Sequence, residues 1–204
     1  MDKGFIIVIS GPSGVGKGTV VGELLKDSNE FALSISATTR QPREGEIHGV
    51  NYFYLTKEEF LDKANNNGML EYAQYNGNYY GTPREYVETT TENGKNIILE
   101  IEVQGAKKLQ EMGLGVVTIF IMPPSWDILK KRLTGRGTET ADVIENRLKI
   151  AKEEMQQADK YDYIVINDHL PECVEDVKKI IDSEKWKKSN MLDFVKGVLN
   201  DANA

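Results

Sequence analysis

The sequence has little cysteine and histidine, no long apolar run and no excess of basic charge, and each deficit removes a class of function. One cysteine, Cys173, among 204 residues excludes an intramolecular disulfide, and with it a small secreted scaffold stapled by bridges. A lone thiol of this kind reads as a buried bystander rather than a nucleophile. His48 and His169 complete the histidine count of two, so no histidine-based acid–base centre is expected. No apolar stretch reaches the roughly 18 residues that a membrane span requires, and Met1-Asp2-Lys3-Gly4 enters a short apolar run without a small-residue cleavage pattern. The expected compartment is the cytoplasm, without a membrane partner. A formal net charge of −7 argues against a nucleic-acid partner, because that work needs a broad basic surface. No internal repeat or low-complexity tract is visible.

What is present is arranged. Five of the arginines fall in two groups, Arg40/Arg43 and Arg132/Arg136/Arg147, while the lysines are scattered. Guanidinium is the planar fork that grips phosphate in bidentate fashion, so the grouping marks two phosphate-handling regions. Phe5 to Ile9 is a continuous apolar, β-branched run, the pattern of a strand buried on both faces, and similar runs recur at Asn96 to Ile101, Val116 to Met122 and Tyr163 to Ile166. Helix-period segments lie between them at Thr19 to Lys26, Ser125 to Leu133 with Ser125 as N-cap, Asp142 to Ala158 and Glu172 to Ile181. Strands alternating with helices imply an α/β fold with a three-layer core around a mainly parallel sheet.

Residues 31–94 break that rhythm. Short strands at Leu33 to Ala37, Tyr52 to Leu55 and Leu70 to Tyr75, an Asn76-Gly77 hairpin signal, and a helix opening at Thr82-Pro83 describe a small inserted α+β subdomain, since a loop of about 60 residues is improbable. The expected organisation is a single domain over 1–204, with a core of 1–30, 95–125 and 160–204, the insertion at 31–94 and a helical lid at 126–159.

Directly after the first strand stands Gly11-Pro12-Ser13-Gly14-Val15-Gly16-Lys17-Gly18-Thr19, followed by a helix. Strand, glycine-rich loop and helix in this order form a nucleotide phosphate cradle. Main-chain N–H groups wrap the anion, the helix start adds positive charge, and Lys17 reaches the transferred phosphate. Gly18 takes the place where such loops carry a magnesium-binding hydroxyl, and Thr19 follows one residue later, so the metal ligands stay open.

Ser36-Ala37-Thr38-Thr39-Arg40-Gln41-Pro42-Arg43-Glu44-Gly45-Glu46 with Gly49, Tyr52 and Phe53, then Glu71, Gly77 to Gly81, Glu100/Glu102-Val103-Gln104-Gly105 and Arg132 to Glu139, resembles guanylate kinase, nearly throughout the chain to Asp168. The resemblance implies a P-loop core with a GMP-binding insertion and a lid, and ATP-dependent phosphorylation of GMP and dGMP with Mg2+ accompanying ATP. It implies that ATP is held by the loop from Gly11 to Thr19 and by Asn167, with Asp168 beside it, and that Lys17, Arg40, Arg132, Arg136 and Arg147 act in catalysis. For GMP it implies a phosphate grip by Arg40, Arg43, Tyr52 and Tyr80, a guanine-reading Glu71, further guanine contacts at Ser36 and Thr82, and Glu100 and Glu102 near guanine, ribose or metal.

A carboxylate suits guanine because N1–H and the N2 amine sit side by side, whereas adenine offers an acceptor at N1. Glu100 and Glu102 would share one face of the strand. Three alternatives stay open: Thr82 as a helix cap, Arg147 on a solvated face beside Glu145 and Lys149, and Arg40 and Arg43 as surface ion pairs with the two tyrosines as core packing. No general base is required, because a phosphate monoester with a second pKa near ~6 is already anionic at neutral pH. Another kinase on the same fold, or a non-catalytic guanylate-kinase-like module that binds phosphorylated peptides, are the rival readings; Glu71 opposes the first and Gly16-Lys17 the second. The oligomeric state, monomer or homodimer, is left open by the sequence.

Overall fold

The first apolar run forms strand β1 (Ile6–Ser10), whose alternate side chains enter two different cores. Ile7 and Ile9 face one way with Val20, Val21 and Leu24 of helix α1 (Lys17–Leu24); Ile6 and Val8 face the other. A strand buried on both sides needs no polar alternation, which is why the run is uninterrupted. The computed structural model describes residues 3–27, 29–75, 77–101, 103–134 and 141–202.

After α1 the chain forms β2 (Phe31–Leu33), then β3 (Ala37–Thr38), β4 (Phe53–Tyr54), helix α2 (Lys57–Asn65), β5 (Met69–Tyr75), β6 (Asn78–Pro83) and helix α3 (Arg84–Glu92). The single strand expected over Leu33 to Ala37 is therefore two. Phe31–Leu33 pairs in parallel with the later strand β7 (Asn96–Leu99), whereas Ala37–Thr38 pairs with β4 and β6 in a second sheet of order β4-β3-β6-β5. Residues 34–36 carry the chain from one sheet to the other. In the smaller sheet β5 and β6 form an antiparallel hairpin in which Tyr75 opposes Asn78, with Gly77 at φ 79°. Asn76 lies outside the described residues. Ala37, Phe60 and Met69 are the buried centre of this part. Helix α2 starts on a full capping box: Thr56 accepts from the Glu59 amide and the Glu59 carboxylate accepts from the Thr56 amide.

Helix α4 (Val103–Glu111), β8 (Val116–Met122), α5 (Trp126–Thr134), α6 (Ala141–Met155), β9 (Tyr163–Ile166), α7 (Leu170–Glu184) and α8 (Lys188–Asp201) complete the chain. The larger sheet has order β2-β7-β1-β8-β9, and all of its pairings are parallel. One face is covered by α1 with side chains of α5, α6 and α7; the other receives Val87 of α3, Leu109 of α4 and Leu70 of β5. The architecture is thus the expected three-layer α/β core with a second, mixed sheet. Cys173 is buried in the first core, and burial pushes its thiol up to about 11, so it is not a nucleophile at neutral pH.

Strand β7 stops at Leu99, two residues short of the expected Ile101. Its neighbour β2 ends at Leu33, and the ladder closes with the Ser34 amide on the Ile98 carbonyl. Glu100 accordingly follows the strand instead of lying on one of its faces, and Glu102 lies outside the described residues.

Candidate functional site

The phosphate loop joins the C-terminal end of β1 to α1. Gly11 is pressed against β8: a Cβ there would stand 2.4 Å from the Ile121 carbonyl oxygen, so no other residue fits without moving the sheet. Gly16 caps α1 at φ 98°, a left-handed conformation that turns the chain into the helix. This entry explains why α1 starts at Lys17, two residues before the expected start. Val15 is fully buried and anchors the loop into the core, while Gly18 and Thr19 are exposed on the first turn.

Lys17 folds back over the loop, donating to the carbonyls of Gly11 and Pro12. Burial lowers its pKa, and the nearby carboxylates of Glu154 and Glu100 oppose that shift. Side chains from three elements brace the loop from outside. The Ser13 amide donates to the Glu154 carboxylate at 2.9 Å, the Asn167 side-chain amide donates to the Val15 carbonyl at 2.8 Å, and Arg132 reaches the Val15, Asn167 and Asp168 carbonyls at 3.3, 2.9 and 3.4 Å. Arg132 and Asn167, both expected on the ATP side, thus touch the loop at Val15. Arg147 is half-buried on α6 while Glu145 and Lys149 are exposed, which places it on the helix's inward face rather than among the solvated charges. Arg136 lies outside the described residues.

A second concavity opens between the two sheets, lined by Ser34, Ser36, Asn51, Tyr52, Thr82 and Glu100, over a floor of Leu33, Leu99 and Ile101. Four expected acceptor-side residues, Ser36, Tyr52, Thr82 and Glu100, meet there. Glu71 stands directly behind Thr82. The two are cross-strand partners on β5 and β6, after a bulge that shifts the register between Met69 and Glu71, so both side chains leave the hairpin on one face. The Thr82 hydroxyl donates to Glu71 Oε1 at 2.7 Å. That bond settles the helix-cap alternative. The residue flanking α3 is Pro83, which makes no side-chain cap, and Thr82 is committed to Glu71.

Beyond the concavity lies a cation framed by aromatic rings. The Arg40 guanidinium sits 5.5 Å from the Tyr52 ring centroid and 5.9 Å from that of Tyr54, and the Tyr52 and Tyr80 rings meet edge to face at 6.3 Å. Both tyrosines are half-buried here, not part of either main core. Two residues without an expected role organise the group. Glu46 accepts from Arg40 at 2.9 Å, from the Arg43 main-chain amide at 2.7 Å and from the Tyr54 hydroxyl at 2.8 Å. Its place three residues after Arg43, past the Gly45 turn at φ 82°, was the available signal. The Arg43 side chain itself is exposed.

These bonds, chiefly the one from Arg40, hold the Glu46 carboxyl down at about 2. A depressed folded-state value contributes stability above the unfolded carboxyl's ordinary pKa of roughly 4.3 and loses it as pH falls through about 2. Glu46→Gln is therefore expected to flatten the loss of stability that the wild type shows between pH 5 and 2, as read by denaturant titration at several pH values. It should also raise KM for the acceptor by several-fold. Parallel pH curves for the two proteins would refute the assignment.

The guanylate kinase family model matches residues 3–184. The chain belongs to the guanylate kinase family. A guanylate kinase of Oceanobacillus iheyensis is 50% identical over 200 residues, covering 98% of this chain and 97% of its own length. One from Lactococcus lactis is 46% identical over 200 residues, covering 98% of each chain. Among solved structures, a guanylate kinase from Anaplasma phagocytophilum superposes with a TM-score of 0.68 at 35% identity, covering 92% of this chain and 89% of that one. The SH3-kinase fragment of tight junction protein 3 shares the fold alone, with a TM-score of 0.53 at 9% identity. The second sheet is inserted in the chain between β2 and β7 of the larger sheet.

Proposed function

We propose that the chain catalyses ATP + GMP ⇌ ADP + GDP, and accepts dGMP as well. A GMP phosphate oxygen attacks the terminal phosphorus of ATP in line, the bond from that phosphorus to the bridging oxygen breaks, and ADP leaves with the electron pair. Family membership supports the reaction. The observation that carries the site assignment is the position of Glu100, whose carboxylate lines the acceptor concavity and also acts on the Lys17 ammonium. In this reading Glu100 stands between the donor cradle and the acceptor concavity.

In this reading the loop from Gly11 to Thr19 binds the ATP phosphates through its amides, and Lys17 follows the transferred group. Asn167 and Asp168 flank the adenine side. Arg132, Arg136 and Arg147 add positive charge when the region 126–159 closes over ATP, where water exclusion favours transfer over hydrolysis. The insertion 31–94 holds GMP: Arg40, Arg43, Tyr52 and Tyr80 take its phosphate, Glu71 with Thr82 and Ser36 reads guanine, and Glu100 and Glu102 stand by the ribose or metal.

Among the described residues no cluster of three His, Cys, Asp or Glu side chains could hold a metal. A Mg2+ accompanying ATP would be held by phosphate oxygens and water, with Glu100 and Thr19 the residues of this chain that could assist. Such an ion supplies charge neutralisation on the phosphates. Among the described residues no helix is long and apolar enough to cross a membrane, and a cytoplasmic location fits the substrates.

Initial rates with GMP, dGMP, AMP and UMP under saturating ATP test the proposal. GMP and dGMP should be turned over and the other two should not; a preference for AMP would overturn the acceptor assignment.

A further inference from the structure

We propose that Glu154 is a positioning residue for the phosphate loop, fixing its first turn from the lid side through the Ser13 amide. Helix α6 carries Arg147, Ala151 and Glu154 at spacings of four and three, which puts them on one face. Ala151 is fully buried and Glu154 half-buried, whereas Lys152 and Glu153 between them are exposed. The 2.9 Å bond from the Ser13 amide joins this face to the loop across a sequence gap of 141 residues.

Pro12 contributes no N–H, so Ser13 offers the first main-chain donor after Gly11. Holding that donor outward sets the orientation of the peptides that follow, while Asn167 and Arg132 hold Val15 from the opposite flank. Between these points runs the stretch whose amides must converge on phosphate. The same carboxylate favours the charged form of Lys17 against its burial.

A different role would be that of an anion standing in for phosphate, displaced when ATP binds. The contacts oppose it, because a phosphate stand-in would accept from Lys17, whereas the Lys17 ammonium donates to the Gly11 and Pro12 carbonyls and Glu154 reaches it only through the longer-range charge interaction.

The inference rests on the loop being the ATP site, so wild-type turnover of ATP and GMP is established first; its failure would sink the functional reading, not this one. Steady-state constants are then compared for Glu154→Ala, Glu154→Asp and Glu154→Gln, with melting temperatures alongside. Glu154→Ala should raise KM for ATP about tenfold, the range of a lost charged hydrogen bond, and leave KM for GMP within about twofold. Glu154→Gln keeps an acceptor oxygen at the same reach and should return KM for ATP to within about threefold of wild type; Glu154→Asp keeps the charge but falls short by one methylene, and should resemble alanine more than glutamine. Tighter ATP binding in the alanine variant would establish the stand-in anion and overturn the proposal. So would an unchanged KM for ATP, or an equal rise in both KM values with a lowered melting temperature. Should the alanine variant fail to fold, the Asp and Gln pair decides, and equal constants for those two refute the positioning role.

Discussion

Lys17→Met is expected to lower kcat by about 10³-fold, the scale of removing a charge aimed at a transition-state oxygen in a water-poor site. Methionine keeps most of the side chain's length and apolar volume and removes only the ammonium. The bonds lost run to the Gly11 and Pro12 carbonyls on the loop's own surface, not into either core, so the melting temperature should move little. Single-turnover ADP formation, with thermal unfolding alongside, checks both halves of the expectation. Binding of GMP alone should be nearly unaffected, because the residues proposed to grip it belong to the inserted region 31–94. Near-normal turnover would remove Lys17 from the mechanism.

Glu71→Gln addresses specificity rather than rate. A site that pairs buried polar groups can reject a mismatched analogue by roughly 10⁴-fold, because the mismatch leaves those groups unpaired. Glutamine can still accept from the Thr82 hydroxyl, but its second position becomes a donor turned toward guanine's own donors. The ratio of kcat/KM for GMP over AMP should therefore fall by about 10²-fold, mostly through loss on GMP. An unchanged ratio would reject Glu71 as the base reader. Thr82→Val should show part of the same loss, since it removes the hydroxyl that holds Glu71 in place.

How much of this could be read beforehand depends on what each residue answers to. Strands β8 and β9 have the expected limits because both are apolar runs set by the sheet they fill. The two-residue strands β3 and β4 are too short for periodicity to mark, and only their pairing across residues 37–54 defines them. The end of β7 depends on where β2 stops, a tertiary fact about a strand some 65 residues earlier in the chain. Lys17, Arg40 and Arg43 stand out in the sequence because glycine-rich loops and paired arginines are patterns suited to phosphate. Tyr54 and Glu154 do not, because they serve another side chain and a main-chain amide and carry no local mark of the group they hold, and Glu46 shows only through its place past the Gly45 turn. Thr82 stood between two roles that sequence could not separate; a cross-strand register did so.

The central position of β1 bears on how the molecule comes into being. Ile6 pairs with Ile97 on one side and Val116 on the other, about 90 and 110 residues later. A growing chain therefore holds its most apolar strand without either neighbour until about 90 further residues have left the ribosome. Long-range parallel pairing of this kind is slow and leaves sticky surface exposed in the meantime. The cradle at the end of that strand can take shape only after β8 arrives to press on Gly11, so nucleotide cannot serve as an early template for assembly, and chaperone demand should fall on the interval before residue 122 emerges.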